Sequence, residues 1–153
     1  MKGILHAINV SDGGVPKLAR ASAAVRFGGV EGDRQRDLEN HGGSDRAVSL
    51  YSLEVIEALR AEGHPIGPGT AGENLTVQGI VWADLRPGMH LQIGEVELQI
   101  VSYAAPCTII NASFSDARSV RISQKLHPGW SRLYARVLKE GTLRIGDVVR
   151  VRP

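Results

Sequence analysis

Cysteine is nearly missing from this chain, and Cys107 stands alone. A lone thiol forms no internal disulfide, and an unpaired one suits a reducing compartment, so the expected location is the cytoplasm. Aromatic residues are scarce at 5%, which leaves the core to valine, isoleucine, leucine and alanine. No stretch approaches the ~18 consecutive apolar residues that a membrane-spanning helix needs. The opening Met1 to His6 lacks the basic region and apolar run of a signal peptide. Excess charge is also wanting: 18 Lys and Arg face 16 Asp and Glu, a net of +2. That balance argues for neither nucleic acid nor a membrane surface as a partner. There is no P-loop, no Rossmann glycine pattern, no Gly-x-Ser-x-Gly elbow and no Cys-x-x-Cys. The common nucleotide, hydrolase and dithiol readings fall away with them.

What is present reads as one globular domain over residues 1–153, with 42% apolar and 22% charged residues. The 18 glycines imply many tight turns rather than long helices. Strands are expected over Ile4–Val10, more weakly over Ala21–Phe27, then over Ala47–Tyr51, Leu75–Val77, Tyr134–Leu138 and Val148–Val151. Met89–Ile93 and Val96–Tyr103 form a hairpin around Gly94-Glu95. Ser52 caps a helix whose apolar face is Leu53, Val55, Ile56 and Leu59, and Gly63 stops it. A second helix is expected between Asn111 and His127, broken by Pro128-Gly129. Gly28–Arg46, rich in Gly, Asp, Arg and His and without periodicity, reads as a long functional loop. Residues 86–93 and 144–151 resemble each other, each placing a glycine turn before an alternating strand. Short strands joined by glycine turns point to a mostly β, closed or half-closed barrel with a few helices.

Four places carry candidate chemistry. Cys107 follows Ala104-Ala105-Pro106, where proline ends a strand and turns the chain. A thiolate there is a soft metal ligand and a nucleophile able to carry sulfur as a persulfide; the competing reading is an inert buried thiol. The loop with Arg34, Arg36, His41, Gly42, Gly43 and Arg46 could cradle an oxyanion, arginines bidentately and glycines through close backbone approach. Against that stands pairing of its arginines with Asp33, Asp37 and Asp45, preferred for Arg36 and level for Arg46. His41 suits hydrogen bonding better than ligation, because no second His or Cys stands at zinc spacing. In Gly72-Glu73-Asn74-Leu75-Thr76, Asn74 could meet the edge of a heterocycle, or Glu73 and Asn74 could satisfy backbone groups of a strained turn. Arg132, Tyr134 and Arg136 share one strand face, as an anion-facing wall or a solvated surface; solvation is the better reading for at least one of them.

Five of these segments, in order along the chain, resemble the molybdenum-cofactor sulfurase C-terminal (MOSC) domain: Gly32-Asp33-Arg34; His41-Gly42-Gly43 with Arg46-Ala47-Val48; Gly72 to Thr76 with Gly79; Pro106-Cys107; and Tyr134 to Leu138 with Gly141 and Gly146-Asp147. The resemblance implies a MOSC-type β-barrel that binds molybdopterin, the molybdenum cofactor. It makes Cys107 the catalytic residue and the molybdenum ligand, and assigns cofactor contacts to Arg34, His41, Gly42, Gly43, Arg46, Glu73, Asn74, Arg132 and Arg136. The implied activity is reduction of N-hydroxylated substrates with a separate redox partner. The alternative is a persulfide carrier or cofactor-delivery module served by a separate pyridoxal-phosphate cysteine desulfurase, with no pyridoxal phosphate in this chain. Two departures mark the sequence. Many relatives have an arginine in a Gln-Pro-Arg-x-Pro-Cys run where this chain has Ser102-Tyr103-Ala104-Ala105, and Gly88-Met89 stands where a Gly-Asp turn is common.

Overall fold

A computed structural model describes residues 1–33 and 44–153. Its strands are β1 (Lys2–Val10), β2 (Leu18–Arg20), β3 (Ser22–Arg26), β4 (Gly29–Val30), β5 (Val48–Ser52), β6 (Leu75–Gln78), β7 (His90–Ile93), β8 (Val96–Tyr103), β9 (Leu133–Lys139), β10 (Gly141–Arg144) and β11 (Val148–Arg152). The single α-helix among the described residues, α1, is Leu53–Ala61. Strands run in the order β11-β7-β8-β9-β5-β6-β1, and β1 pairs back to β11, so seven strands close a barrel. β2 is added along β1, and β10-β3-β4 form a small separate sheet. All pairings are antiparallel except β5–β6, whose parallel register needs the α1 crossover between them.

The barrel fills with aliphatic side chains, as the scarcity of aromatics requires. Val48 and Leu50, Leu75 and Val77, Leu91 and Ile93, Leu98 and Ile100, and Leu133 and Ala135 all point inward and are buried. β1 alternates only partly because its register with β6 shifts between Leu5 and Ala7. The inward positions change from Gly3 and Leu5 to Ile8 and Val10, so one strand serves two parities. A similar shift between Ile100 and Ser102 lets β8 leave the barrel with Tyr103 opposite Leu133. That bulge aims the chain that follows toward Cys107.

The capped helix forms as expected. The Ser52 hydroxyl accepts from the Val55 amide at 3.2 Å, and Ile56 and Leu59 are fully buried. Gly63 ends it at φ +99°, donating to the Arg60 carbonyl at 2.9 Å. The second helix does not form. Asn111–His127 holds only the end of one 3-10 turn, Thr108–Ser113, and the whole of another, Ser119–Ile122. The cause is side chains that compete for the backbone. Asn111 accepts from the Ser119 amide at 3.2 Å and Asp116 from the Arg118 amide at 3.1 Å, while Ala117 sits at φ +57°. The short strands β2 and β10 were not legible in the sequence, and the expected Gly28–Arg46 loop contains β4 and a 3-10 turn at Ser44–Arg46.

The two similar segments become neighbours: β7 and β11 pair from Val149 opposite Ile93 to Arg152 opposite His90. Gly88 and Gly146 both take φ +96°. Each donates to a neighbouring strand, to the Ile100 carbonyl at 2.7 Å and the Leu5 carbonyl at 2.8 Å. In one turn the Arg144 amide donates to Asp147 Oδ2 at 2.9 Å; in the other the Arg86 amide meets Met89 Sδ at 3.2 Å. The departure at Met89 therefore replaces a carboxylate by a thioether in the same place and leaves the turn intact.

Closure leaves no room at Gly3, where a Cβ would overlap the Gln78 carbonyl oxygen of β6. Gly3→Ala is expected to lower stability by about 2 kcal/mol or more. Gly28→Ala, whose new methyl meets nothing within 4 Å, should stay within about 0.5 kcal/mol. Urea unfolding of the two variants beside the wild type checks both values.

Candidate functional site

At one end of the barrel β8 finishes, β9 begins and the loop entering β6 arrives, and there strand pairing stops supplying partners for the backbone. Side chains take over. The Ala104 amide donates to the Arg132 carbonyl at 2.9 Å, and the Ser131 hydroxyl lies between the Arg132 carbonyl at 2.7 Å and the Ala104 carbonyl at 3.2 Å. The Arg132 guanidinium reaches two loops at once, from Nη1 to the Ala71 carbonyl at 2.9 Å and from Nη2 to the Ala105 carbonyl at 3.1 Å. Arg132 is 6% exposed, and its Nε has no partner. Thus the Gly72–Thr76 segment and the cysteine segment, far apart in sequence, meet across one side chain.

Cys107 follows directly from this anchored stretch. It is a free thiol, half-buried, in extended conformation at the start of the Thr108–Ser113 turn. Its carbonyl accepts from the Ser119 hydroxyl at 3.0 Å and the Ile110 amide at 3.3 Å. Among the described residues no hydrogen bond engages its sulfur. The thiol is therefore fixed through its backbone in a half-buried position.

Beneath this lies a sealed polar layer. Asn74 is 1% exposed. Its Nδ2 donates to Asp33 Oδ2 at 2.9 Å and the Asn9 carbonyl at 3.3 Å, and its Oδ1 accepts from the Ser49 amide at 3.0 Å and hydroxyl at 3.2 Å. A carboxamide has two donors and two lone pairs, so its capacity is filled by protein. Asp33 is in turn held by Lys17 at 2.6 Å and the Ser11 amide at 3.0 Å. Glu73 is wholly buried; Thr76 donates to its Oε2 at 2.9 Å, and its Oε1 has no partner. Burial pushes the Glu73 carboxyl up to about 6 against the pull of its hydrogen bonds and of Arg132. The Asn74 side chain serves the Ser49 amide and the Asn9 carbonyl, and that of Glu73 serves the Thr76 hydroxyl. Sequence reasoning missed Asn9, Lys17, Ser49 and Ser131, none of which stands in a spacing that signals its partner.

On the outer face of β9, Tyr134 and Arg136 continue the row begun by Arg132. Arg46 lies over the Tyr134 ring, 5.4 Å from its centroid, and Arg136 pairs with Asp45 at 3.2 Å. Arg136 carries the solvated character expected of at least one arginine, its side chain 43% exposed, although its Nε is buried without a partner. Arg34, His41, Gly42 and Gly43 lie outside the described residues. An apolar groove of about 560 Å³ between α1 and Trp130 is lined by Val55, Ile80, Val81 and Trp82, and by none of the candidate site residues. Among the described residues, no three His, Cys, Asp or Glu gather to hold a metal, and no helix is long and apolar enough to cross a membrane.

The Glu73 carboxyl sets a pH dependence. Up to pH 4.5 it is largely protonated in both states. Between 4.5 and about 6 the unfolded chain releases its proton first, so folding stability falls by about 2 kcal/mol across that window. Glu73→Gln should abolish this loss, being more stable than the wild type above pH 6 and level with it below 4.5. Urea midpoints of the two proteins across the range are the check.

The MOSC domain family matches residues 37–150. Among curated proteins, YflK of Bacillus subtilis is 32% identical over 135 residues, covering 87% of this chain and 60% of the relative. A protein named reductase from Gibberella moniliformis is 30% identical over 127 residues, covering 79% of this chain and 22% of that protein. The chain thus spans less than two thirds of either relative. Solved structures give the same barrel: YiiM of Escherichia coli, TM-score 0.75 at 20% identity, covers all of this chain and 70% of its own. YuaD of Bacillus subtilis, TM-score 0.73 at 16% identity, covers 99% of this chain and 96% of its own.

Proposed function

The chain belongs to the MOSC domain family, and from that premise we propose that it binds the molybdenum–pterin cofactor through Cys107 and reduces N-hydroxylated substrates. The observation that carries this reading is the half-buried Cys107 thiol, fixed by its backbone and with no hydrogen bond to its sulfur among the described residues. A metal ion arriving bare would need three or four protein donors. The described residues gather no such set, and a single soft thiolate fits a metal already held by an organic carrier. Buried guanidinium nitrogens without partners among the described residues, Nε of Arg132 and Nε of Arg136, suit the same flank to an anion.

In this reading Cys107 supplies the protein's one bond to the metal, and Arg46 and Arg136 face the anionic part of the ligand. Arg34, His41, Gly42 and Gly43 are proposed as further contacts. Arg132, Glu73 and Asn74 act from below, holding the loops that frame the opening. When bound, the cofactor supplies two-electron oxygen-atom chemistry. Reduction of an N–OH group to N–H consumes two electrons and two protons and releases water, and the electrons come from a separate redox partner. A relative carrying the name reductase agrees with this class of reaction.

The same half-buried thiol, in no disulfide, also favours a second reading, in which Cys107 carries a persulfide delivered by a separate cysteine desulfurase. Two measurements separate the readings. Protein purified from a host that makes the cofactor should contain molybdenum and fluorescent pterin, and Cys107→Ala should bring the metal to background. Absence of both from folded wild type would remove the first reading. Incubation with a pyridoxal-phosphate desulfurase and cysteine, followed by intact mass measurement, should then show one added sulfur that is missing in Cys107→Ser. No adduct would remove the second.

A further inference from the structure

We infer that Arg132 is the positioning residue that fixes where the Cys107 thiol stands, an inference that rests on Cys107 being the working group of the proposed site. A buried cation is costly unless its N–H groups are used as donors. Arg132 has no carboxylate in ion-pair range among the described residues. Its outlay is met by two carbonyls that strand pairing does not reach, Ala71 at 2.9 Å and Ala105 at 3.1 Å.

Ala104 and Ala105 are thereby held at two points by Arg132, whose carbonyl takes the Ala104 amide and whose side chain takes the Ala105 carbonyl. The Ser131 hydroxyl closes the same junction, 2.7 Å from the Arg132 carbonyl and 3.2 Å from the Ala104 carbonyl. Pro106 comes next, with its φ restricted by the ring, so the placement of Ala105 passes to Cys107 with little slack. From the far side Ser119 and Ile110 hold the Cys107 carbonyl. Ser131 and Arg132 are themselves pinned, because Trp82 Nε1 donates to the Ser131 carbonyl at 2.7 Å and the Tyr51 hydroxyl to the Trp130 carbonyl at 2.6 Å. A rigid wall of β9 thus carries the thiol through one fork-shaped side chain. Lysine, a single ammonium, cannot bridge both carbonyls in the same way.

Cys107 is the sole cysteine, so alkylation by iodoacetamide in native buffer reads its presentation directly and needs no cofactor. Arg132→Met, which keeps the bulk and removes the donors, should raise the native-state alkylation rate at least about tenfold. Arg132→Lys should fall between Met and wild type. Ser131→Ala, which removes a separate attachment of the same segment, should also accelerate it. Urea unfolding of each variant establishes that the barrel is intact when the rates are compared. A wild-type rate in folded Arg132→Met would overturn the inference; should that variant not fold, wild-type rates in both Arg132→Lys and Ser131→Ala would do so. Molybdenum and pterin content test the proposed function separately, so failure of one leaves the other standing.

Discussion

A closed barrel satisfies every backbone group along its staves and none beyond their ends, and the site is built where that supply stops. At the exit of β8 the chain must turn without a neighbouring strand, from buried Ala104 out to exposed Ala105. An unpaired buried carbonyl there costs as much as a lost hydrogen bond. Ser131 and Arg132 meet the need from the start of β9. The same demand at the entrance to β6 is met by Asn74, Ser49 and Asn9, with Asp33 and Lys17 behind them. These side chains do structural work first. The half-buried placing of the thiol is a consequence of how firmly its neighbours are held.

Charge follows the same division. Arg132 and Glu73 are both buried, and among the described residues each keeps one atom without a partner, Nε and Oε1. Burial pushes the Glu73 carboxyl up to about 6, and the field of Arg132 only partly opposes it. The exposed arginines behave differently. Arg136 pairs with exposed Asp45 and exposed Arg46 lies over the Tyr134 ring, and screening by solvent makes such contacts worth little to stability.

The 108–130 segment shows how the excursion bearing Cys107 stays on the barrel without a helix of its own. Arg121 binds both carboxylate oxygens of Glu62, just past α1, at 2.9 and 2.7 Å, and stacks over Trp130 at 4.1 Å. His64 packs edge-on to Phe114 at 5.3 Å and accepts the Ser115 amide at 3.1 Å. Serine, asparagine and aspartate occupy so much of the segment that local side-chain bonds win over a continuous helix.

By itself the sequence determined the elements whose signals are local. The capped helix at Ser52, the hairpin at Gly94-Glu95 and the inward faces of β5, β6 and β9 follow from nearest-neighbour chemistry and period, and so does the exit of a strand at Pro106-Cys107. The order of its short motifs determined the family. Tertiary structure alone decided which candidates reach solvent and which lie underneath. Asn74 and Glu73 face protein, Arg132 faces two loops and Cys107 is only half-buried, because each partner comes from a strand or loop distant in sequence. The matching turns at Gly88 and Gly146 likewise gained their meaning only when β7 and β11 came to lie side by side. Pairing between strands is set by closure of the barrel, and no local pattern of residues carries that information.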